Sequence, residues 1–319
     1  MIAVHSLASL DVPPAPDEHD WLRQALPARY SIVRSLGRGS TGAVVLAHDR
    51  VLQRWVAIKA LLPDVGADPE RREQFRREAL TNARLAHPNI VPVFDYGDAR
   101  GVAHAVMRYV PGSPLAAHIR REQLLPPGEV CRILAALADA LGYAHRQRVV
   151  HRDIKPENVI LDRDTGQPML TDFGIARAVS LDAMQADEIR RERLVVRGTV
   201  HFMSPEQLSG RSDVDGRSDL YALGVLGYAL LSGELPIQGA SFTEIARRHG
   251  SMSPPPLEAR APHAPPVVVR AVMRCLAKRP DDRWPDGEAL RDALRGAEAT
   301  TPARRGWLAR ARRVWRRQR

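Results

Sequence analysis

The segment Gly37-Arg38-Gly39-Ser40-Thr41-Gly42-Ala43-Val44 spaces its glycines as G-x-G-x-x-G-x-V. Without a Cβ in the way, glycine lets backbone amides approach phosphate oxygens closely, so the chemistry such a loop could do is to cradle a phosphate chain. Alone, the pattern is weak, because a plain glycine-rich hairpin carries the same residues. The β-branched run that follows reads as a strand and not a helix, which argues against the dinucleotide-binding fingerprint. Two further constellations follow. Val56-Ala57-Ile58-Lys59 lies on the next strand pattern, and Glu78 stands nineteen residues beyond Lys59 in FRREALTNARLAHPNIV. Taken singly, Lys59 and Glu78 are ordinary solvated charges. The last is His151-Arg152-Asp153-Ile154-Lys155-Pro156-Glu157-Asn158, with Asp172-Phe173-Gly174 beginning fourteen residues after Asn158.

In this order and at this spacing the three constellations resemble the signature set of protein kinases. The forms HPNIV, IKPEN and SPEQL are similar to the bacterial, eukaryotic-like serine/threonine branch. The resemblance covers about residues 30 to 297 and implies transfer of the ATP γ-phosphoryl group to protein Ser or Thr hydroxyls, with autophosphorylation. It implies ATP and Mg²⁺, or Mn²⁺ in its place, as cofactors. Lys59 would sit on the α/β-phosphates with Glu78 fixing it, Asp153 would take or orient the substrate hydroxyl, and Lys155 would neutralise charge on the γ-phosphoryl. Asn158 and Asp172 would hold the metal. Nucleotide contacts are expected from Gly37, Arg38, Gly39, Ser40, Thr41, Gly42, Val44, Ala57 and Lys59. Met107 would be the gatekeeper, with adenine on the main chain around Arg108, Tyr109 and Val110. Thr199 would contact the catalytic aspartate and lysine, Glu206 would pair with Arg283, and Asp219 would anchor the catalytic loop.

The chain departs from the family's pattern at three places. Arg108 replaces a common Glu, Ser204 replaces the usual Ala before Pro205-Glu206, and no Ser, Thr or Tyr lies between Ser180 and Thr199. The last argues against switching by a phosphate in that segment: either Asp187, Glu188 or Glu192, or a partner, supplies the ordering contact, or the loop needs none.

These residues need a scaffold, and the hydrophobic patterning supplies an α+β one. Runs at YSIVRSL, AVVLAHD, WVAIKAL, VPVFDYG and GVAHAVMRY read as strands, with one charged helix from Pro69 through Leu85. From Pro127 on, helical spacing prevails over 129–148, 218–232, 242–249, 266–277 and 287–297. The expectation is a two-lobed protein kinase fold: a small β-rich N-lobe (about 28–108), a large helical C-lobe (about 111–297), and nucleotide in the cleft between them. Residues 1–27, rich in Pro and acidic side chains, read as a flexible leader with no fold.

Composition is that of an ordinary globular chain, with 26% charged and 44% hydrophobic residues, which excludes collagen-like, disulfide-stapled and wholly disordered classes. Cys131 and Cys275 sit in apolar helical patterns and read as buried reduced thiols. The longest apolar run, Leu220 to Leu231, is short of the roughly 18 to 20 residues of a spanning helix. The start lacks a basic n-region and its apolar run is broken at His5 and Ser6, so no signal peptide is expected. The reading is cytoplasmic, with peripheral association on the inner face of the membrane as its alternative.

Most of the formal charge of +10 lies at the end. Residues 298–319 carry eight arginines against one Glu, with Trp307, Leu308, Ala311, Val314 and Trp315 on one helical stripe. Such a stripe suits an anionic membrane surface or an acidic partner. No motif supports specific nucleic-acid recognition. Two rival readings fit less well. A pseudokinase-like nucleotide-binding scaffold ordinarily loses Lys59, Asp153 or Asp172, and all three are kept. A small-molecule phosphotransferase normally lacks the segment ending in Ser204-Pro205-Glu206.

Overall fold

The structure, a computed structural model, describes residues 19–39, 41–119, 124–173 and 198–298. The chain forms two compact units. The first comprises residues up to Leu80 together with Val93–Tyr109, and the second Thr81–Pro92 together with Val110 onward. The expected division into a small β-rich part and a larger helical part is what the chain builds.

The first unit is a five-stranded antiparallel sheet of β1 (Tyr30–Arg38), β2 (Gly42–Asp49), β3 (Arg54–Leu61), β4 (Val93–Ala99) and β5 (Val102–Arg108), in the order β1-β2-β3-β5-β4. The period of two sorts its side chains onto two faces. On one face Val45, Ala47, Val56, Ile58, Ala60, Val102 and Val106 are buried together with Leu22, Ala25 and Leu26. These last three come from α1 (Asp20–Ala25) and the residue after it. On the other face Leu61, Ala103 and Ala105 meet Phe75 and Ala79 of α3 (Pro69–Asn82), which follows the single turn α2 (Pro63–Gly66).

Helix α1 corrects the reading of residues 1–27 as a leader without fold. Trp21, Leu22, Ala25 and Leu26 fall on one helical stripe, and Leu22 is fully buried against the sheet. Burying one such leucine is worth about 1.5 to 3 kcal/mol, enough to order a short helix that composition alone marks as polar. The Arg100 guanidinium also donates to the Gln24 carbonyl at 2.7 Å. Residues 1–18 lie outside the described residues.

The second unit is built on α5 (Pro127–Arg146) and α7 (Gly216–Ser232), with α10 (Pro266–Cys275) and α11 (Gly287–Glu298) packed on them. Every residue of α7 from Ser218 to Leu231 is buried, the signature of a helix covered all round. Its Gly224 is a packing requirement, since a Cβ there would come within 2.5 Å of the Cys275 Cβ. Both cysteines are free and buried as expected, and burial pushes the Cys275 thiol up to about 12. Smaller elements are α4 (Leu115–Ile119), α6 (Pro205–Leu208), α8 (Phe242–Ser251) and α9 (Leu257–Arg260).

Three features of this unit differ from the sequence reading. A three-stranded sheet, β6 (Gly112–Pro114), β7 (Val159–Asp162) and β8 (Pro168–Leu170), was missed because strands of three or four residues show no usable alternation. Residues 81–92 belong here and not to the first unit: Val91 N–H donates to the Leu170 carbonyl at 2.9 Å and Ala86 N–H to the Tyr143 hydroxyl at 3.0 Å. Helix α3 accordingly stops at Asn82 and not at Leu85, and the Asn82 side chain donates to the Phe173 carbonyl at 2.9 Å. Among the described residues no helix is long and apolar enough to cross a membrane.

Candidate active site

In the first unit the glycine-rich segment is the β1–β2 hairpin. Gly37 and Arg38 pair with Val44 and Ala43, and the turn is closed by Gly39 N–H on the Gly42 carbonyl at 2.8 Å. Two of its glycines differ. A Cβ at Gly42 would fall 2.6 Å from the Ala60 carbonyl, so the fold itself requires glycine there. A Cβ at Gly37 would meet nothing within 4 Å among the described residues, so packing does not require glycine there. Thr41 accepts from Leu62 N–H through its carbonyl at 3.0 Å, while Ser40 lies outside the described residues.

Cross-strand register then places the expected nucleotide-facing side chains together. Val44 is opposite Lys59, and Ala57 is opposite Met107, so Val44, Ala57, Lys59 and Met107 share one face of the sheet. It is the face on which α3 packs through Phe75 and Ala79. Glu78, three residues after Phe75, lies on the same side of α3 and accepts from Gln74 at 2.9 Å. Lys59 and Glu78 are both half-buried, and each is engaged in a polar interaction. Arg108 is exposed at the end of β5, Tyr109 is half-buried, and Val110, buried, opens the second unit.

In the second unit the segment from His151 to Asn158 is tied through His151, Arg152, Asp153, Lys155 and Asn158. The Asp153 carboxylate receives the Lys155 ammonium at 2.7 Å and the Asn158 amide at 2.8 Å; the same amide group donates to the Asp153 carbonyl. Lys155 also donates to the Thr199 hydroxyl at 3.2 Å, so one cation spans the Asp153 carboxylate and the turn Thr199–Phe202. His151 is fully buried beside Phe173, with ring centroids 4.5 Å apart. Its Nε2 donates to the Thr171 carbonyl and its Nδ1 accepts from Asp153 N–H, which is the neutral tautomer, and burial depresses its pKa accordingly. Asp172 stands at φ +65°, in the left-handed region that a non-glycine residue enters only when its surroundings hold it there. Gly174 and the acidic candidates up to Arg197 lie outside the described residues.

Buried Asp219 of α7 anchors this loop. Its carboxylate accepts His151 N–H at 2.8 Å, Arg152 N–H at 2.7 Å and His145 Nε2 at 2.8 Å. Burial would raise its pKa, but these donors outweigh that and hold the carboxyl below its usual range. The Arg283 guanidinium forks onto Glu206, at 2.6 and 2.8 Å, and Ser218 donates to the same carboxylate. Burial again opposes ionisation, and the Arg283 and Ser218 contacts keep Glu206 depressed. His145 carries no signal of its own in the sequence. Its partner is seventy-four residues away, and only the contact identifies it.

Stability should depend on pH through these groups. His249 of α8 is fully buried, paired with the Tyr221 hydroxyl at 2.9 Å. Burial, with Lys278 and His201 nearby, pushes its pKa down to about 3 from 6.5. Its folded pKa lies below the unfolded one, so the unfolded chain takes up the proton first. The stability tied to the neutral ring is complete above 6.5 and declines as pH falls, by about 1.4 kcal/mol per pH unit. Asp219 and Glu206 contribute in the same direction lower down: their share is full above the ordinary carboxyl range and is lost as pH falls through their depressed values. Urea unfolding across the range from mildly alkaline to mildly acidic buffer should show this slope, and His249→Gln should flatten it by one proton. A slope untouched by that substitution would show that His249 does not carry it.

The family described as "Protein kinase domain" matches residues 30–293. The chain is 37% identical over 272 residues to the serine/threonine-protein kinase PrkC of Bacillus subtilis, covering 85% of this chain and 41% of that protein. It is 35% identical to the serine/threonine-protein kinase pkn3 of Myxococcus xanthus, over 89% of this chain and 52% of that one. The kinase domain of Mycobacterium tuberculosis PknI, a crystal structure, aligns with a TM-score of 0.65 and 34% identity, over 84% of this chain and 96% of that domain. The chain spans from about a third to three-fifths of the length of the curated relatives it matches.

Proposed function

The chain belongs to the protein kinase family, with the two-lobed kinase fold, and from that premise we propose that it is an ATP-dependent protein serine/threonine kinase. The observation that carries this is the Asp153 carboxylate held between Lys155 at 2.7 Å and Asn158 at 2.8 Å, with Lys155 tied onward to Thr199.

Each residue has a task the geometry suits. Asp153 accepts the hydrogen bond of a Ser or Thr hydroxyl, aims its lone pair at the phosphorus and takes its proton as the new P–O bond forms. Lys155 stands ready to neutralise charge on the transferred group, and Thr199 keeps it from swinging away. The glycine hairpin offers backbone amides to phosphate oxygens, and Lys59 offers a cation, with Glu78 as the carboxylate expected to fix it.

The donor set also fits a small hard cation. Asn158 spends its amide nitrogen on Asp153, so oxygen is the donor it presents, and Asp172 supplies one carboxylate. One amide oxygen and one carboxylate are too few to hold a metal by themselves, and suit Mg²⁺, or Mn²⁺, delivered on phosphate oxygens. When bound, such an ion neutralises phosphate charge as the γ-phosphoryl leaves.

The substrate is a protein hydroxyl, and the arginine- and tryptophan-bearing 304–319 segment, outside the described residues, is read from its charge and spacing as the element that docks on an anionic membrane surface. The test is transfer of radiolabelled γ-phosphate from Mg-ATP to the chain itself and to a basic protein, followed by phosphoamino-acid analysis. Label on Ser or Thr is the expected result. Tight nucleotide binding with no transfer would favour the scaffold reading instead.

A further inference from the structure

Ser204 does more than begin a helix. Its hydroxyl accepts Gln207 N–H at 3.3 Å, while Gln207 Oε1 accepts both the Ser204 N–H, at 3.1 Å, and the Ser204 hydroxyl, at 3.2 Å. This is a capping box on α6. Because the oxygen end of the Gln207 amide is occupied by two donors, the nitrogen end has one direction left, and it donates to the Arg152 carbonyl at 3.0 Å. Ser204 is fully buried and Gln207 is 4% exposed, so water does not compete for these bonds.

Arg152 immediately precedes Asp153 and has φ +67°. A non-glycine residue in that region costs on the order of 1 to 3 kcal/mol and persists only when its neighbours hold it. The peptide before Arg152 is held through its N–H by Asp219, and the peptide after it, shared with Asp153, through its carbonyl by Gln207. The two side chains therefore fix Arg152 from both sides, and the second sets the plane from which the Asp153 side chain departs.

We propose that Gln207 is a positioning residue for Asp153 and that Ser204 orients it, so that the helix after Thr199 and the catalytic loop move as one piece. This rests on the kinase reading above. Gln207→Glu is the decisive variant. A glutamate keeps the capping box, since its carboxylate still accepts from Ser204, but sets an acceptor against the Arg152 carbonyl. Its kcat should fall about tenfold or more with KM for ATP within about twofold, since misplacement of a catalytic group acts on the chemical step. The deficit relative to wild type should shrink as pH is lowered, because the introduced carboxyl, once protonated, can donate to the Arg152 carbonyl again. Ser204→Ala should lose rate in the same direction, non-additively with Gln207→Met.

A Gln207→Glu enzyme within twofold of wild-type kcat, or one with a deficit independent of pH and accompanied only by a lower unfolding temperature, would overturn the proposal. Failure of the wild type to transfer phosphate would instead strike the kinase reading. Hydrogen exchange decides the positioning claim in that case: amides 152–155 should exchange faster in Gln207→Glu, and unchanged protection there would refute it.

Discussion

Asp153→Asn is expected to lower phosphate transfer by about 10² to 10⁴-fold while leaving nucleotide affinity within about twofold. The substitution is isosteric, so the fold around it should persist. What changes is the atom that meets the hydroxyl. In the wild type both Lys155 and Asn158 donate to Asp153 Oδ2. An amide oxygen can replace that acceptor geometrically, but it cannot take a proton, and turning the amide over sets its NH₂ against the Asn158 NH₂. The hydroxyl then loses its proton acceptor in either orientation. Single-turnover transfer with saturating Mg-ATP reads the chemical step, and a fluorescent nucleotide titration reads binding. Transfer within tenfold of wild type would mean that Asp153 does not handle the hydroxyl, and joint loss of binding and transfer would mean that the substitution acted on the fold.

Arg283→Met should strongly destabilise the second unit. The guanidinium is 1% exposed and fully employed: it forks onto Glu206, donates to the carbonyls of Ala277, Arg217 and Lys278 at 2.8, 3.0 and 3.1 Å, and rests 4.8 Å from the Tyr221 ring centroid. Methionine fills the volume and leaves Glu206 as a buried carboxylate that keeps the Ser218 hydrogen bond but has lost its counter-charge. Breaking a buried pair from one side costs about 3 to 5 kcal/mol, which for a unit of this size lowers the unfolding temperature by about 10 °C. Lysine should not rescue, since an ammonium cannot reproduce the planar fork. The double replacement Arg283→Met with Glu206→Leu should recover part of the loss, because no charge is then left unpaired. Scanning calorimetry of the three variants checks this; an Arg283→Met midpoint indistinguishable from wild type would show that the pair is not what holds this region.

The sequence made the short-range chemistry legible and left the long-range contacts obscure. Asp153, Lys155 and Asn158 meet within six residues, so their spacing already implies their geometry. Lys59 and Glu78 were singled out together by resemblance; Lys59 lies on the sheet face against which α3 packs, and Glu78 lies on α3 three residues after Phe75. The pairing of Glu206 with Arg283 could be expected only by resemblance, since nothing local in either residue points seventy-seven positions away. The partners of His145 and Gln207 had no such guide. Ser204 was visible as a departure, yet its meaning needed the Arg152 carbonyl fifty-five residues from Gln207. Helix α1 was missed for a different reason: a polar, proline-rich surrounding masked a short helix whose stability comes from the sheet beneath it.

That short helix bears on where the folded domain begins. The family match spans residues 30–293, yet the fully buried Leu22 lies upstream of it. A recombinant fragment trimmed to the region of homology would strip the cover from Val45, Val56, Ile58, Val102 and Val106, and would present a greasy plate able to self-associate. Ancestry and stability thus draw different boundaries on this chain. Cloning that respects the second, starting no later than His19, keeps the sheet closed on both sides.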